Sequence, residues 1–274
     1  MKTFIVPVDF SDTSKNAAMY AVELAANLDE AKIILYNAYD EIVSGDDGTP
    51  LYNDEDSRKN LSLLALANVK DSLPQSDKIT ITCEAEIGTA VKNLNKFSIM
   101  NDADLIIMGI NGATKLEQVM IGSTTLNVVH NVRTPVMIIP PDARYTGMKN
   151  VTLTSDFKDV ANTTPFVALK ELLDLLKAKL HIVNVDEEHY VEEAPEYKRE
   201  RLVLQKQLGT HNPEFYFLRA FDFIEGINRF VTDRNMDALI TIPKKHNFLS
   251  NLFKTSHTKK LAYHLHIPII ALHV

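Results

Sequence analysis

The chain has 274 residues, of which 45% are hydrophobic and 24% are charged, and its formal net charge at pH 7 is −7. This length suits one large domain or two domains of about 140 residues, each with enough apolar material for a core. The net negative charge argues against non-specific binding to nucleic acid or to an anionic membrane, since both require a basic surface. A single cysteine, Cys83, excludes an intrachain disulfide and a cysteine-rich zinc site.

The first apolar stretch of the chain, which ends at Asp9, is only about six residues long. A signal peptide or a membrane helix requires a longer apolar segment, and no other run approaches the roughly 20 residues that a span needs. We therefore predict a cytoplasmic protein that does not cross a membrane.

Short apolar runs alternate with longer helical patterns through the first half of the chain. In chain order the pattern predicts strand 2–8, helix 13–28, strand 32–38, helix 56–73, strand 78–85, helix 88–100, strand 104–109, helix 122–132 and strand 135–139. The strands are apolar on both faces, which is typical of a parallel sheet covered by helices on both sides. Residues of the types that cap helix N-termini support the predicted helix starts. Asp12-Thr13-Ser14 stands at the start of the first helix and Asp222 ahead of a later one. The pattern predicts a doubly wound, Rossmann-like α/β domain with a five-stranded parallel sheet.

The second half of the chain repeats the first. Four pairs of segments match in the same order: FIVPVDFSD (4–12) with VTLTSDFKD (151–159), AKIILYNAY (31–39) with AKLHIVNVD (178–186), DLIIMG (104–109) with ALITIP (238–243), and TPVMIIP (134–140) with IPIIALH (267–273). This order indicates a tandem duplication. We predict two doubly wound domains, 1–143 and 148–274, joined by a linker that contains proline and glycine.

Three glycines cluster after the fourth predicted strand, at Gly109, Gly112 and Gly122, and Ser123 and Thr124 follow the last one. Open α/β sheets bind ligands beyond the carboxyl ends of their strands. Glycine permits positive φ and close backbone approach, and a helix N-terminus attracts phosphate. The cluster therefore predicts a phosphate-binding turn. The alternative is that the first two glycines only form a tight turn and that Ser123 only caps a helix.

The spacing G-x2-G-x9-G-S is neither a P-loop nor a dinucleotide fingerprint. It resembles the ATP-binding motif of the universal stress protein family. The resemblance extends to the strand FIVPVDFSD that ends in Asp, the turn AEIG (85–88), the strand ADLIIMG and the last strand TPVMIIP. It covers the first copy almost entirely and the second copy more weakly, so the chain is identified as a tandem member of that family, with the adenine nucleotide alpha hydrolase-like fold that this implies.

The resemblance implies an ATP site in the first copy, with or without Mg²⁺. The residues that it assigns to the base end of the site are Pro7, Val8, Asp9 and Ala38, and those at the ribose and phosphates are Met108, Gly109, Gly112, Gly122, Ser123 and Thr124. Asp9 has an alternative role, in which it only ends a strand and begins a turn. Within the glycine loop, Glu117 opposes the charge of a phosphate and Lys115 is the only cation.

The second copy has lost the glycines, and Pro243, His246 and Thr255 stand in their place in a loop one residue shorter. Proline cannot adopt positive φ and has no N–H, so we predict no ATP binding in the family manner there. Eight of the nine histidines lie in this copy but lack a metal-ligand spacing, and we predict no metal site. Lysines near this loop form a basic patch that is either simply solvated or attracts an anionic partner.

No residue of the first copy shows a pattern for catalysis, because chemistry on ATP needs metal-binding carboxylates and a positioned nucleophile or base. We expect a nucleotide-binding stress-response or regulatory protein and no enzyme. Two alternatives stay open, an interaction module that binds no nucleotide and a weak ATPase. The apolar last strands of the two copies predict edge-to-edge pairing in an intramolecular pseudo-dimer. A homodimer and an unidentified protein partner also stay open.

Overall fold

A computed structural model describes residues 1–39, 55–110, 122–186, 195–243 and 266–273. Its contacts divide the described residues into two units, the first up to Pro141 and the second from Asp142 onward. The predictions that concern the loop between the two last strands of each copy lie outside the described residues. These are the predictions for Gly112, Lys115, Glu117, His246 and Thr255.

The described part of the first unit alternates strands and helices. The elements are β1 (Lys2–Pro7), α1 (Asp12–Ala25), β2 (Ala31–Tyr39), α2 (Glu55–Asp71), β3 (Ile79–Ile87), α3 (Ala90–Met100), β4 (Leu105–Gly109), α4 (Ser123–Asn131) and β5 (Val136–Ile139). The strands pair in the order β3-β2-β1-β4-β5, and all pairs are parallel. The predicted doubly wound α/β fold is confirmed.

The second unit repeats this arrangement. Its elements are β6 (Asn150–Thr154), α5 (Val160–Thr163), α6 (Phe166–Leu176), β7 (Lys179–Asp186), α7 (Pro195–Leu208), the 3-10 helix Gly209–His211, β8 (Glu214–Arg219), α8 (Phe223–Asp233), β9 (Ala238–Thr241) and β10 (Ile269–Ala271). The parallel strands pair in the order β8-β7-β6-β9-β10. Across the described ranges, none of the helices has the length and apolar character needed to cross a membrane.

The first helix of the second unit is broken, whereas α1 of the first unit is continuous. The break lies between α5 and α6, at Thr164 and Pro165. Proline lacks the N–H of a helical hydrogen bond and disfavours helical geometry in the residue before it, so the helix ends ahead of Pro165 and starts again after it.

The core of each unit is formed by strands that are buried on both faces. In the first unit, Phe4, Ile5 and Val6 of β1 are completely buried, as are consecutive residues of β4. In the second unit the same is true of Val151 on β6 and of Ala238 on β9. Strands covered by helices on both sides have no solvated face, which explains the unbroken apolar runs that predicted them.

Matching hydrogen bonds in the two units support the duplication. Asp104 accepts a bond from the Thr3 N–H at 2.8 Å, and Asp237 accepts one from the Asn150 N–H at 2.7 Å. Each aspartate precedes the fourth strand of its unit and holds the start of the first strand. The turns after β1 and β6 also match, because Phe10 and Phe157 both have left-handed φ, at 65° and 51°.

Strand pairing corrects the predicted alignment of the fourth strands. Leu105 of β4 lies opposite Phe4, and Ala238 of β9 lies opposite Val151. Phe4 and Val151 are equivalent in the duplication, so Leu105 corresponds to Ala238, and Gly109 therefore corresponds to Ile242. The prediction that Pro243 replaces Gly109 is wrong by one residue, because apolar runs match almost equally well after a slip of one position.

The cap of the first helix also differs from the prediction. Ser11 is the N-cap of α1, where its side chain accepts a hydrogen bond from the Ser14 N–H at 3.2 Å, and Asp12 is the first helical residue. The prediction for α8 is confirmed, since Asp222 caps that helix and accepts a bond from the Glu225 N–H at 3.0 Å. Both caps satisfy N–H groups that have no partner within the helix.

A buried histidine makes the stability of the second unit depend on pH. His181 of β7 is 6% exposed, and its Nε2 atom lies 3.2 Å from Oδ1 of Asn150. Burial lowers the pKa of His181 below its usual value, although the neighbouring Glu214 carboxylate acts in the opposite direction. Because the pKa in the folded state lies below that in the unfolded state, about 6.5, the unfolded chain binds more protons as the pH falls. The free energy of unfolding therefore decreases below about pH 6.5.

We expect the His181→Gln variant to lose this decrease. Urea titrations at pH 7.5, 6.5 and 5.5, monitored by hydrogen exchange at amides of the second unit, give the free energy of unfolding at each pH. The titration of one histidine changes the free energy of unfolding by at most about 1.4 kcal/mol per pH unit. An identical slope in the variant and in the unaltered protein would assign the pH dependence to other groups.

Candidate functional site

A cleft of about 500 Å³ lies at the carboxyl edge of the sheet in the first unit, and we call it the first cleft. The ends of β1, β2 and β4 and the starts of α3 and α4 line it. Its volume is typical of small-molecule sites, and its position is where open α/β sheets bind ligands.

The structure brings most of the predicted site residues together in the first cleft. The residues that line it are Pro7, Val8, Asp9, Ala38, Met108, Gly109, Ser123 and Thr124. Gly122 directly precedes Ser123 as the N-cap of α4. Gly112 lies outside the described residues.

Hydrogen bonds fix the strand ends at one side of the first cleft. The Val8 N–H donates to the carbonyl of Tyr36 at 2.8 Å, and the Asn37 side chain donates to the carbonyl of Val8 at 2.7 Å. Ser62 of α2 donates to Oδ1 of Asn37 at 2.9 Å. Both backbone groups of Val8 are therefore bonded within the protein, so this residue contributes shape to the cleft and leaves polar contacts to its neighbours.

Tyr36 is a fully buried residue at the β2 side of the first cleft. Its hydroxyl donates to Oε2 of Glu86 at 2.8 Å, and its ring centroid lies 4.6 Å from that of Phe97. Burial and this hydrogen bond raise the pKa of the Tyr36 phenol far above its usual value. The phenol is therefore neutral over the whole physiological range, and it places no charge beneath the first cleft.

The turn after β1 accounts for one role of Asp9. The N–H and the hydroxyl of Ser11 both donate to Oδ1 of Asp9, while Phe10 between them takes up left-handed φ. This is the local turn that an aspartate at a strand end forms. The same turn holds the exposed Asp9 side chain at the first cleft, so a turn role and a ligand role are compatible.

Gly109 is required by packing. A Cβ atom at this position would lie 2.8 Å from both the carbonyl carbon and the carbonyl oxygen of Thr13 in α1. The glycines of the motif were expected to allow positive φ and a close approach of the backbone to a ligand. Positive φ is wrong for the two described ones, and the close approach to a ligand stays a prediction. Gly122 has φ −62°, and the positive-φ glycines in the described ranges are Gly88, Gly147 and Gly209.

The start of α4 presents backbone donors to the first cleft. The Gly122 N–H donates to the carbonyl of Ile110 at 2.8 Å, and the buried Thr125 hydroxyl lies 3.2 Å from the carbonyl oxygens of Gly109 and Ile110. These bonds anchor the helix start to the end of β4. The N–H groups of its first turn, at Ser123, Thr124 and Thr125, have no acceptor within the helix, because a helix leaves its first donors unpaired. Such an arrangement suits an anion.

The sequence prediction missed Lys92, which lines the first cleft from the first turn of α3. Among the described residues that line this cleft, Lys92 is the only lysine or arginine and Asp9 is the only carboxylate. A signal was present, because α3 follows a predicted parallel strand and its first turn must lie at the same edge as the glycine motif.

The histidines of the second copy give no further candidate site in the described ranges. There the structure contains no group of three or more His, Cys, Asp or Glu residues that could hold a metal ion. Of the histidines near the second loop, His266 is hydrogen-bonded through Nδ1 to the carboxylate of Asp142. His246, His257 and His264 lie outside the described residues.

Comparison with known proteins identifies the family. The model of the universal stress protein family matches residues 1–140. The chain is 30% identical over 144 residues to a universal stress protein from Methanocaldococcus jannaschii, in a match that covers 50% of this chain and 81% of that protein.

A solved structure shows the same fold over nearly the whole chain. A universal stress protein from Archaeoglobus fulgidus, 18% identical, aligns with a TM-score of 0.62 over 99% of this chain and 96% of its own. Another universal stress protein, solved in complex with cAMP, is 24% identical over 50% of this chain and 96% of its own, with a TM-score of 0.35. By its match to the family model and to the Methanocaldococcus relative, this chain belongs to the universal stress protein family.

Proposed function

We propose that the chain is a cytoplasmic regulatory protein of the stress response that binds ATP in the first cleft without appreciable turnover. One observation supports the proposal above all others: the start of α4 and the ends of β1, β2 and β4 line the same cleft of about 500 Å³. Phosphate favours a helix start with unpaired N–H groups, and membership of the family favours an adenine nucleotide over other anions.

The first cleft has two chemically different ends. At the end formed by β1 and β2, the Asp9 side chain and the backbone of Ala38 offer polar contacts beside the apolar Val8, which suits a base. At the other end, Ser123 and Thr124 add hydroxyl donors to the backbone donors of α4, and Lys92 supplies a positive charge. The proposed nucleotide lies with its base against β1 and β2 and its phosphates at α4.

Turnover requires groups that the described part of the first cleft does not provide. Phosphoryl transfer depends on a clamp of Arg or Lys, for which Lys92 is the one described candidate, and on carboxylates that hold Mg²⁺ beside the phosphates. The one carboxylate of the described lining, Asp9, follows β1 at the base end. Any Mg²⁺ would bind chiefly through the phosphate oxygens of the nucleotide. Bound ATP would then persist as a signal of cellular energy that influences partner binding.

Calorimetric titration with ATP in the presence of Mg²⁺ is expected to give one site per chain. The double variant Ser123→Ala with Thr124→Ala should weaken binding by at least about a hundredfold, because two hydrogen bonds to a charged phosphate contribute about 1.5–3 kcal/mol each and each 1.4 kcal/mol is a factor of about ten. Thr163→Ala, which changes a threonine of the second unit, is the control and should bind ATP normally. Two equivalent sites would contradict the proposal, and no binding at millimolar ATP would favour an interaction module.

Phosphate release by the purified protein tests the absence of turnover. With saturating ATP and Mg²⁺ we expect far less than about one turnover per second, the lower end of ordinary enzyme rates. A rate of about one per second that is lost in the Asp9→Ala variant would instead identify an ATPase.

A further inference from the structure

A cleft of about 340 Å³ lies at the carboxyl edge of the sheet in the second unit, and we call it the second cleft. The ends of β6, β7 and β9 line it, as the ends of β1, β2 and β4 line the first cleft. Its volume also falls in the range of small-molecule sites. The two clefts differ in the side chains that line them, and the differences indicate a different class of ligand.

The second cleft lacks the features that suit a phosphate. Ile242 lines it at the position of Gly109, as the strand pairing shows. Three residues after the helix cap, where α3 has Lys92, α8 has Glu225. Asp156 is the only charged residue in the described lining. The described lining of the second cleft therefore offers an anion no cationic side chain, in contrast to the first cleft with Lys92.

An aromatic and aliphatic wall replaces those features. Phe223, the first residue of α8, lines the second cleft together with Val185 and Ile242. The absence of a side chain at Gly226 brings α8 close to β7, since a Cβ atom there would lie 3.0 Å from Cγ1 of Val185. This close approach places the Phe223 end of the helix at the cleft. A planar apolar molecule packs well against such a wall.

A buried hydroxyl at the second cleft has no hydrogen-bond partner. Thr241 at the end of β9 is 1% exposed, lines the cleft, and its Oγ1 atom is unpaired. Buried polar groups in folded proteins are nearly always hydrogen-bonded, so an unpaired one at a cleft points to a group that a ligand supplies. A threonine hydroxyl can either donate to or accept from that group.

We propose that the second cleft binds an uncharged small molecule with a planar apolar body and one polar group. The body packs against Phe223, Val185 and Ile242, and the polar group hydrogen-bonds to Oγ1 of Thr241. This site is separate from the proposed ATP site and does not depend on it, since the two clefts lie in different units and share no lining residue.

A matched pair of probes tests the proposal on the full chain. Indole-3-acetamide is planar, apolar and neutral, and indole-3-acetate has the same ring system with a negative charge. Saturation-transfer NMR and calorimetry should show that the amide binds at least about tenfold more tightly than the acid, because the described lining has no cation to offset the loss of hydration of a carboxylate. Excess ATP should leave the binding of the amide unchanged.

Variants of two buried threonines show whether the site is the second cleft. Thr241→Val should weaken binding of the amide roughly three- to tenfold, the loss that one neutral hydrogen bond represents, and Thr241→Ser should retain most of it. Thr152→Val is the matched control, because Thr152 on β6 is also buried with an unpaired hydroxyl but does not line the cleft. A purely structural role of Thr241 predicts equal, unchanged binding in both valine variants.

Four outcomes would overturn the proposal. These are no binding of the amide at millimolar concentration, competition by ATP, equal effects of Thr241→Val and Thr152→Val, and tighter binding of the acid than of the amide. The last outcome would favour an anion site that uses the lysines following Pro243 in the sequence.

Discussion

Exchange of Lys92 for glutamate is expected to weaken ATP binding by at least about tenfold and to leave adenosine binding unchanged. Lys92 is the only cation among the described residues that line the first cleft, so the variant removes an attraction for the phosphates and adds a repulsion. Adenosine has no phosphates and should be insensitive to this change. Calorimetric titration of both ligands at one fixed salt concentration gives the comparison, because salt screens exposed charges.

Lys96→Glu provides the control for net charge. Lys96 lies one turn further along α3, outside the described lining of the first cleft, and its exchange changes the net charge of the protein by the same amount. It should change ATP affinity much less than Lys92→Glu does. Equal weakening in both variants would show a general charge effect, and an unchanged affinity in Lys92→Glu would place the phosphates away from α3.

The fold could be predicted from the sequence because its strands are buried on both faces and its helices are amphipathic. Strand 104–109, for example, was predicted almost as observed, since Asp104 precedes an unbroken apolar run that ends in Gly109. The ends of helices were predicted less accurately than the strands. The helix predicted over 13–28 ends at Ala25, because the N–H groups of Asn27 and Leu28 turn back to the carbonyls of residues three positions earlier, a local geometry that composition does not reveal.

The site could be predicted in part, because some of its residues follow a local motif. The motif around Ser123 and Thr124 is continuous in sequence and could be matched directly. Lys92 has no motif and reaches the first cleft through the topology of the sheet. The equivalence of Gly109 with Ile242 likewise required the pairing of strands, since it depends on contacts between segments more than 80 residues apart.

The expectation of positive φ at Gly109 was wrong for a physical reason. Glycine in a ligand loop suggests a backbone angle that other residues avoid, which is a local property. The structure shows a close approach by α1, an element nearly 100 residues earlier in the chain. The sequence around the glycine does not reveal such a contact, although replacing the glycine is expected to change stability strongly.

Exchange of Gly109 for alanine is therefore expected to destabilise the first unit by about 2 kcal/mol and to abolish measurable ATP binding. The added Cβ atom would lie 2.8 Å from backbone atoms of Thr13, which cannot rotate away as a side chain could, so α1 must shift. The same helix start holds Ser11, which fixes Asp9 at the first cleft, so the shift also disturbs the base end. Hydrogen exchange under native conditions should show the loss of stability in the first unit alone.

Gly209→Ala is the matched control for this variant. Gly209 has φ +52° and no atom within 4 Å of an added Cβ, so alanine there costs about 1 kcal/mol of backbone strain without any overlap. It should destabilise the second unit modestly and leave ATP binding intact. If packing determines residue 109, Gly109→Ala must be the more damaging of the two, even though Gly209 is the one with the conformation that favours glycine. The reverse order would mean that α1 moves aside easily and that the contact with Thr13 does not shape the first cleft.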